Sequence, residues 1–204
     1  MAADAYYDMG NAPAARWDRY ANDLLNGYET AVDQFRYTAP RTLALLGRPF
    51  LRKGKPILDL GAGTGKVGES LVRAGFTVDG IDFSPEMLKK AKERGYRNTI
   101  VARLGGNPPP VTEEYDALLS VGLFGDFLHY SHLLEILEAT RYPRVVAIAG
   151  SASKLEQKRT GVGIEDFLKE NYTIQLSERR VAHLAPDITG ELADVHYLFV
   201  IATK

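Results

Sequence analysis

From residue 56 onward the chain alternates short apolar runs with amphipathic stretches, which predicts strands and helices in turn. Pro56-Ile57-Leu58-Asp59-Leu60 is an apolar run of strand length, and it stops at Gly61-Ala62-Gly63-Thr64-Gly65. Residues 68–74 predict a helix with Leu71 and Val72 inward, and 76–82 a second strand. The next helix, 85–94, turns Met87, Leu88 and Ala91 inward, with Ser84 as its N-cap, Pro85 at its first position and Gly95 as its stop. Strands follow at 99–104, 115–121 and 144–150, the last two separated by a helix at 131–139. The remainder predicts a helix at 164–171 and two long strands, 172–183 and 194–203, joined as a hairpin on one edge. Such alternation is that of a mostly parallel sheet with helices on both faces.

Upstream, residues 14–46 predict two or three helices broken near Gly27 and Pro40. Residues 1–50 hold Tyr6, Tyr7, Trp17, Tyr20, Tyr28, Phe35, Tyr37 and Phe50, a dense set of rings. A chain of 204 residues with 45% hydrophobic content suits one compact domain. Its formal net charge of -1 gives no general attraction to nucleic acid or to an anionic membrane. There are no cysteines, so disulfides, thiol nucleophiles and cysteine metal sites are excluded. With no leader-like start and no apolar run near ~18 residues, the expectation is a soluble cytoplasmic protein.

Three glycines at alternate positions after a buried strand let the chain turn sharply into a helix and let a ligand approach the backbone. A P-loop is excluded, because Leu60 stands where its first glycine belongs and Val67 follows Lys66. Gly63 to Gly68 formally reads G-x-G-x-x-G, but a dinucleotide fingerprint starts directly after the strand, and in that register Lys66 takes the place of the third glycine. Asp82 ends the second strand about twenty residues beyond Gly61, where an acid meets ribose hydroxyls in nucleotide-binding α/β folds.

Asp59-Leu60-Gly61-Ala62-Gly63-Thr64-Gly65, followed by Gly80-Ile81-Asp82-Phe83-Ser84-Pro85-Glu86-Met87-Leu88, resembles the first two motifs of class I S-adenosyl-L-methionine (SAM) methyltransferases. Lys66-Val67-Gly68-Glu69, Val121-Gly122-Leu123-Phe124 and Tyr37-Thr38-Ala39-Pro40-Arg41 are similar to the methyltransferase of the Williams-Beuren region and its bacterial relatives. The resemblance implies a Rossmann-like, seven-stranded, mostly parallel sheet with an antiparallel last strand, and SAM as cofactor. It implies an N-terminal helical lid, residues 1–50, over a SAM-binding core, 51–204; simple packing of the aromatic rings on the sheet is the equal alternative. Gly61, Ala62 and Gly63 would lie against the cofactor, Asp82 on its ribose, and Tyr28 near its methionine end. Phe83, Met87, Arg103 and Leu104 would frame the adenine, and Val121 would also contact the cofactor. Arg103-Leu104 departs from the acid that many relatives carry there.

No nucleophile triad or paired-carboxylate site stands out, and no metal site is expected. Asp126 and His129 are the candidates for a general base. His183 and His196, in the terminal hairpin, are expected to face solvent. Asn107-Pro108-Pro109-Pro110 precedes the fourth strand, so it reads as a rigid loop and not as a grip on a nucleobase amine. The resulting expectation is methyl transfer to a small, partly aromatic or apolar molecule. The alternatives are a protein using SAM for rearrangement chemistry and an NAD(P)-dependent oxidoreductase. The oligomeric state is left open.

Overall fold

A parallel strand buried on both faces belongs in the interior of a sheet. β1 (Pro56–Leu60) has that character, since Ile57, Leu58, Asp59 and Leu60 are all at most 1% exposed. In the computed structural model, which describes residues 18–19, 21–23, 27–104, 111, 114–124, 128, 132–156, 163–186 and 192–204, β1 pairs in parallel with β2 (Thr77–Asp82) and with β4 (Ala117–Val121). β3 (Thr99–Val101) lies beyond β2, and β5 (Val145–Ser151) beyond β4, both parallel. β7 (Leu192–Thr203) runs antiparallel between β5 and β6 (Thr173–Pro186), giving the order β3-β2-β1-β4-β5-β7-β6. This is the expected Rossmann-like sheet with its hairpin on one edge.

Two apolar layers follow from the strand pleat. On one face Leu43 of α2 (Ala39–Gly47), Leu71 of α3 (Lys66–Arg73) and Leu88 of α4 (Pro85–Glu93) pack with Ile57, Val78 and Leu119. On the other, Leu133 of α5 (His132–Ala139), Leu155 of α6 (Ala152–Leu155) and Leu168 of α7 (Ile164–Lys169) pack with Leu58, Ile81 and Leu118. Neighbouring residues Ile57 and Leu58 thus serve opposite layers. Ahead of α2 lies α1 (Tyr28–Gln34).

The differences from expectation are local. α3 starts at Lys66, because Gly65, at φ +86°, makes the last turn before it. The N-terminal break falls at residues 35–38, where Arg36 has φ 49°, and Pro40 instead sits in the first turn of α2, where a missing N–H costs nothing. α6 was not anticipated, being too short to show a period.

β6 carries a bulge: its register against β7 shifts between Val181 and His183. The Ala182 carbonyl accepts from the Thr38 amide at 2.7 Å and from Thr38 Oγ1 at 3.1 Å, and the Leu184 amide donates to the Phe35 carbonyl at 2.8 Å. The bulge therefore straps the loop at 35–38 to the edge strand. Among the described residues no helix is long and apolar enough to cross a membrane, and no cluster of His, Cys, Asp or Glu could hold a metal ion.

Candidate active site

β1 and β2 both end at the mouth of a crevice, where β1 turns through the glycines into α3. Gly61, Gly63 and Gly65 all have positive φ, at +66°, +52° and +86°. A Cβ on Gly63 would meet no atom within 4 Å, so this glycine leaves a clear wall toward the crevice. The crevice occupies about 870 Å³, counting its open mouth.

Asp82 ends β2 beside that wall. Its Oδ2 accepts from the Gly63 amide and its Oδ1 from the Ser84 amide, both at 2.9 Å. These bonds tie the glycine turn to the second strand. Burial pushes the Asp82 carboxyl above its usual range, opposed by the Ser84, Gly63 and Phe83 amides and reinforced by Asp18. A carboxylate has about four lone-pair directions. Three backbone donors leave it able to accept from a ligand's hydroxyl.

Most of the site residues expected from sequence come together here. Tyr28, Gly61, Gly63, Asp82 and Phe83 line the crevice, as do Met87, Arg103, Leu104 and Val121. Arg103 stands over the Phe83 ring, its guanidinium carbon 4.8 Å from the centroid. A planar cation on an aromatic face is a favourable pairing. Ala62 is the exception. Its methyl group turns back against Gly80, where an added Cβ would lie 2.8 Å from it, and it does not line the crevice. Asp126 and His129 lie outside the described residues.

Behind the glycine turn is a buried lock centred on Tyr96, which the sequence pattern did not single out. The Tyr96 hydroxyl donates to Asp59 Oδ2 at 2.5 Å and accepts from the Gly68 amide at 2.9 Å. Asp59 acts on the first turn of α3 through this tyrosine. Burial raises the Asp59 carboxyl to about 7; the Tyr96 bond opposes the shift and the nearby Asp82 charge adds to it. The available signal was a strand acid, Asp59, with no partner of its own in sequence, and glycines at 68 and 80 with no turn to explain them.

The N-terminal segment is anchored at both ends of α4. Ser84 Oγ donates to Asp18 Oδ1 at 2.5 Å and accepts from the Met87 amide at 3.2 Å, so the expected N-cap is present and is itself held. Further along, Glu29 of α1 pairs with Lys66 at 2.6 Å and with Arg94 at 3.1 Å, while Arg94 Nη1 donates to the Thr64 carbonyl at 2.6 Å. Burial raises the Glu29 carboxyl, but the bonds from Lys66 and Thr64 and the charges of Arg94 and Lys66 outweigh it, for a net lowering.

The other end of the crevice is bounded by Tyr37, Gly122, Leu123 and Leu128. Tyr37 contacts His183 at 5.5 Å and Tyr197 at 6.0 Å between centroids, and those two lie 5.7 Å apart, all edge-on. His183 is accordingly half-buried, contrary to the expectation that it faces solvent, whereas His196 is exposed. The difference follows from the bulge, which turns His183 onto the rings.

Comparison with known proteins agrees with this geometry. A family model described as a methyltransferase domain matches residues 57–146. The demethylmenaquinone methyltransferase of Tropheryma whipplei (strain Twist) is 43% identical over 70 residues, 33% of this chain and 29% of that protein, so the match spans less than a third of the curated relative's length. A structure described for the conversion of a disulfide bond into a thioacetal group during echinomycin biosynthesis is 25% identical, covering 80% of this chain and 81% of that one, with a TM-score of 0.56. Magnesium protoporphyrin IX methyltransferase from Synechocystis PCC 6803, solved with bound SAM, covers 100% of this chain and 96% of its own at 16% identity and a TM-score of 0.63. Residues 57–146 thus match a methyltransferase domain, and the chain shares its fold with a methyltransferase solved with bound SAM.

Proposed function

We propose that this protein is a SAM-dependent methyltransferase acting on a small, partly aromatic or apolar molecule in the cytoplasm. The observation that carries the cofactor reading is the pairing of an unobstructed glycine wall at Gly63 with the Asp82 carboxylate bonded beside it. In this reading Gly61 and Gly63 lie against the cofactor and Asp82 accepts from its ribose hydroxyls. Phe83, Met87, Arg103 and Leu104 frame the adenine, Val121 also contacts the cofactor, and Tyr28 approaches the methionine end. Residues 1–50 form a helical lid over the core at 51–204, and the contacts of Asp18 and Glu29 with α3, α4 and the glycine turn support that division.

When bound, SAM supplies an electrophilic methyl group on a sulfonium, and its departing sulfur needs no protonation. The chain's own work is to hold an acceptor in line with that methyl and to exclude water. The apolar side chains of Val121, Leu123 and Leu128, and the absence of a cation at that end among the described lining residues, support a small uncharged acceptor. The name of one relative, which concerns demethylmenaquinone, agrees with such a molecule.

Calorimetric titration with SAM and with NADH tests the cofactor, only SAM being expected to bind. Replacing Asp82 with alanine should weaken SAM binding by roughly tenfold or more, the worth of charged hydrogen bonds, while the circular dichroism spectrum stays the same. Unchanged affinity would remove Asp82 from the ribose.

A further inference from the structure

We infer that the Tyr37 hydroxyl is the group that holds the acceptor, and that the acceptor class is an uncharged ring compound bearing a hydroxyl. The inference rests on the methyltransferase reading, and it deepens that reading at the crevice end away from Asp82. Tyr37 and Gly122 both line the crevice, and a Cβ placed on Gly122 would stand 3.0 Å from the Tyr37 hydroxyl oxygen. The same point is 3.7 Å from the hydroxyl of Tyr197, which is only 2% exposed. Two phenol oxygens therefore converge on Gly122, which follows β4, and its lack of a side chain lets the Tyr37 hydroxyl sit against backbone that lines the crevice.

Three distant parts of the chain cooperate to put Tyr37 there. Its amide donates to the Val32 carbonyl at 2.8 Å, and the next residue, Thr38, makes two bonds to the bulged Ala182 of β6. His183, displaced by that bulge, and Tyr197 of β7 meet the ring edge-on. A bulge beside a crevice is a common means of re-aiming a side chain, and a ring held on two edges has little freedom to rotate away.

The chemistry of this end selects the ligand. Leu123 and Leu128 offer apolar contact, and Tyr28 and Tyr37 offer rings. The charged residues among the described lining, Asp82 and Arg103, both belong to the other end, Arg103 being stacked on Phe83. An anionic acceptor buried against Tyr37 would find no counter-charge among these residues, which burial penalises. A phenol hydroxyl both donates and accepts, and its natural complement is a hydroxyl on an otherwise apolar ring.

The test uses the full chain saturated with S-adenosyl-L-homocysteine, with 1-naphthol and naphthalene as probes and ligand-observed NMR to read affinity. The inference expects 1-naphthol to bind more tightly than naphthalene. It also expects Tyr37→Phe, which keeps the ring, to weaken 1-naphthol about five- to tenfold and leave naphthalene unchanged. Equal binding of the two probes by the native chain, no binding of either, or an unchanged 1-naphthol affinity in Tyr37→Phe would each overturn it. Saturation with the homocysteine form is checked first by calorimetry. Failure at that stage defeats the methyltransferase reading itself, whereas success there with failure of the probes defeats only the assignment of Tyr37.

Discussion

Gly63 and Gly68 belong to one short glycine-rich stretch and have opposite surroundings. A Cβ on Gly63 would meet nothing within 4 Å, whereas one on Gly68 would lie 2.5 Å from the Tyr96 hydroxyl. Gly65 and Gly80 side with Gly68: added Cβ atoms would come within 2.8 Å of Ala91 and of Ala62, respectively. Gly63 keeps space for something outside the chain; Gly68 keeps space for Tyr96. A run that formally reads G-x-G-x-x-G is thus two devices, a cradle in front and a packing lock behind, and the match to a dinucleotide fingerprint straddles them.

The sharpest way to test that division is to add the same methyl group at both places. Gly68→Ala should lose roughly 3 kcal/mol or more, from overpacking and from the strained bond to Tyr96, which for a chain of this size lowers Tm by roughly 6–12 °C. Gly63→Ala pays only the cost of a left-handed residue, roughly 1–2 kcal/mol, but should weaken SAM binding by at least about tenfold through the lost space. Thermal melts and calorimetric titration of the two variants separate these outcomes. Equal stability losses, or full SAM affinity in Gly63→Ala, would merge the two devices into one.

The lock also makes a prediction about pH. Asp59 titrates near 7 in the fold and near 3.8 when its surroundings are removed, because it is buried. Between those values the folded chain holds a proton that the unfolded chain has lost. The contribution of Asp59 to stability is therefore complete below about 3.8, falls as pH rises toward 7, and is flat above. Asp59→Asn removes this titration and keeps an oxygen for the Tyr96 hydroxyl. The stability of Asp59→Asn relative to the native chain should therefore rise between pH 4.5 and 7.5 by on the order of 3 kcal/mol, read as roughly 6–12 °C in Tm. A difference that does not change with pH would mean that Asp59 is ionised throughout.

The front of the site was legible in sequence and the back was not, for a physical reason. Gly61, Gly63 and Asp82 act through backbone conformation and a strand end, so short contiguous stretches encode them. The sheet was legible for the same reason, since buried parallel strands read as unbroken apolar runs. Tyr96 becomes important only when β1, α3 and the residues after α4 are brought together, and nothing in its neighbourhood along the chain marks it. The cluster of Tyr37, His183 and Tyr197 is more distant still. It depends on an extra residue in β6, whose effect is to reverse the side that His183 presents. Pro40 was read as a helix breaker, but proline is equally at home in a first turn, and the positive φ of Arg36 decided the matter.

Compared with the Tyr96 lock, the attachment of α1 to the front of the site is weak and wet. Glu29 reaches Lys66 and Arg94 with side chains that are 31%, 23% and 20% exposed, and Arg94 is shared with Glu69 at 3.5 Å. Partly exposed ion pairs contribute about 1 kcal/mol or less and are screened by salt. Glu29→Gln should therefore lower Tm by only about 2–4 °C at low ionic strength, and the gap from the native chain should shrink as sodium chloride is added. The same substitution should speed release of bound SAM in stopped-flow measurements, by about two- to fivefold at low salt, because α1 carries Tyr28 over the crevice. A native release rate indifferent to salt, together with an unchanged rate in Glu29→Gln, would show that α1 is fixed to the core as firmly as α3 and is no lid.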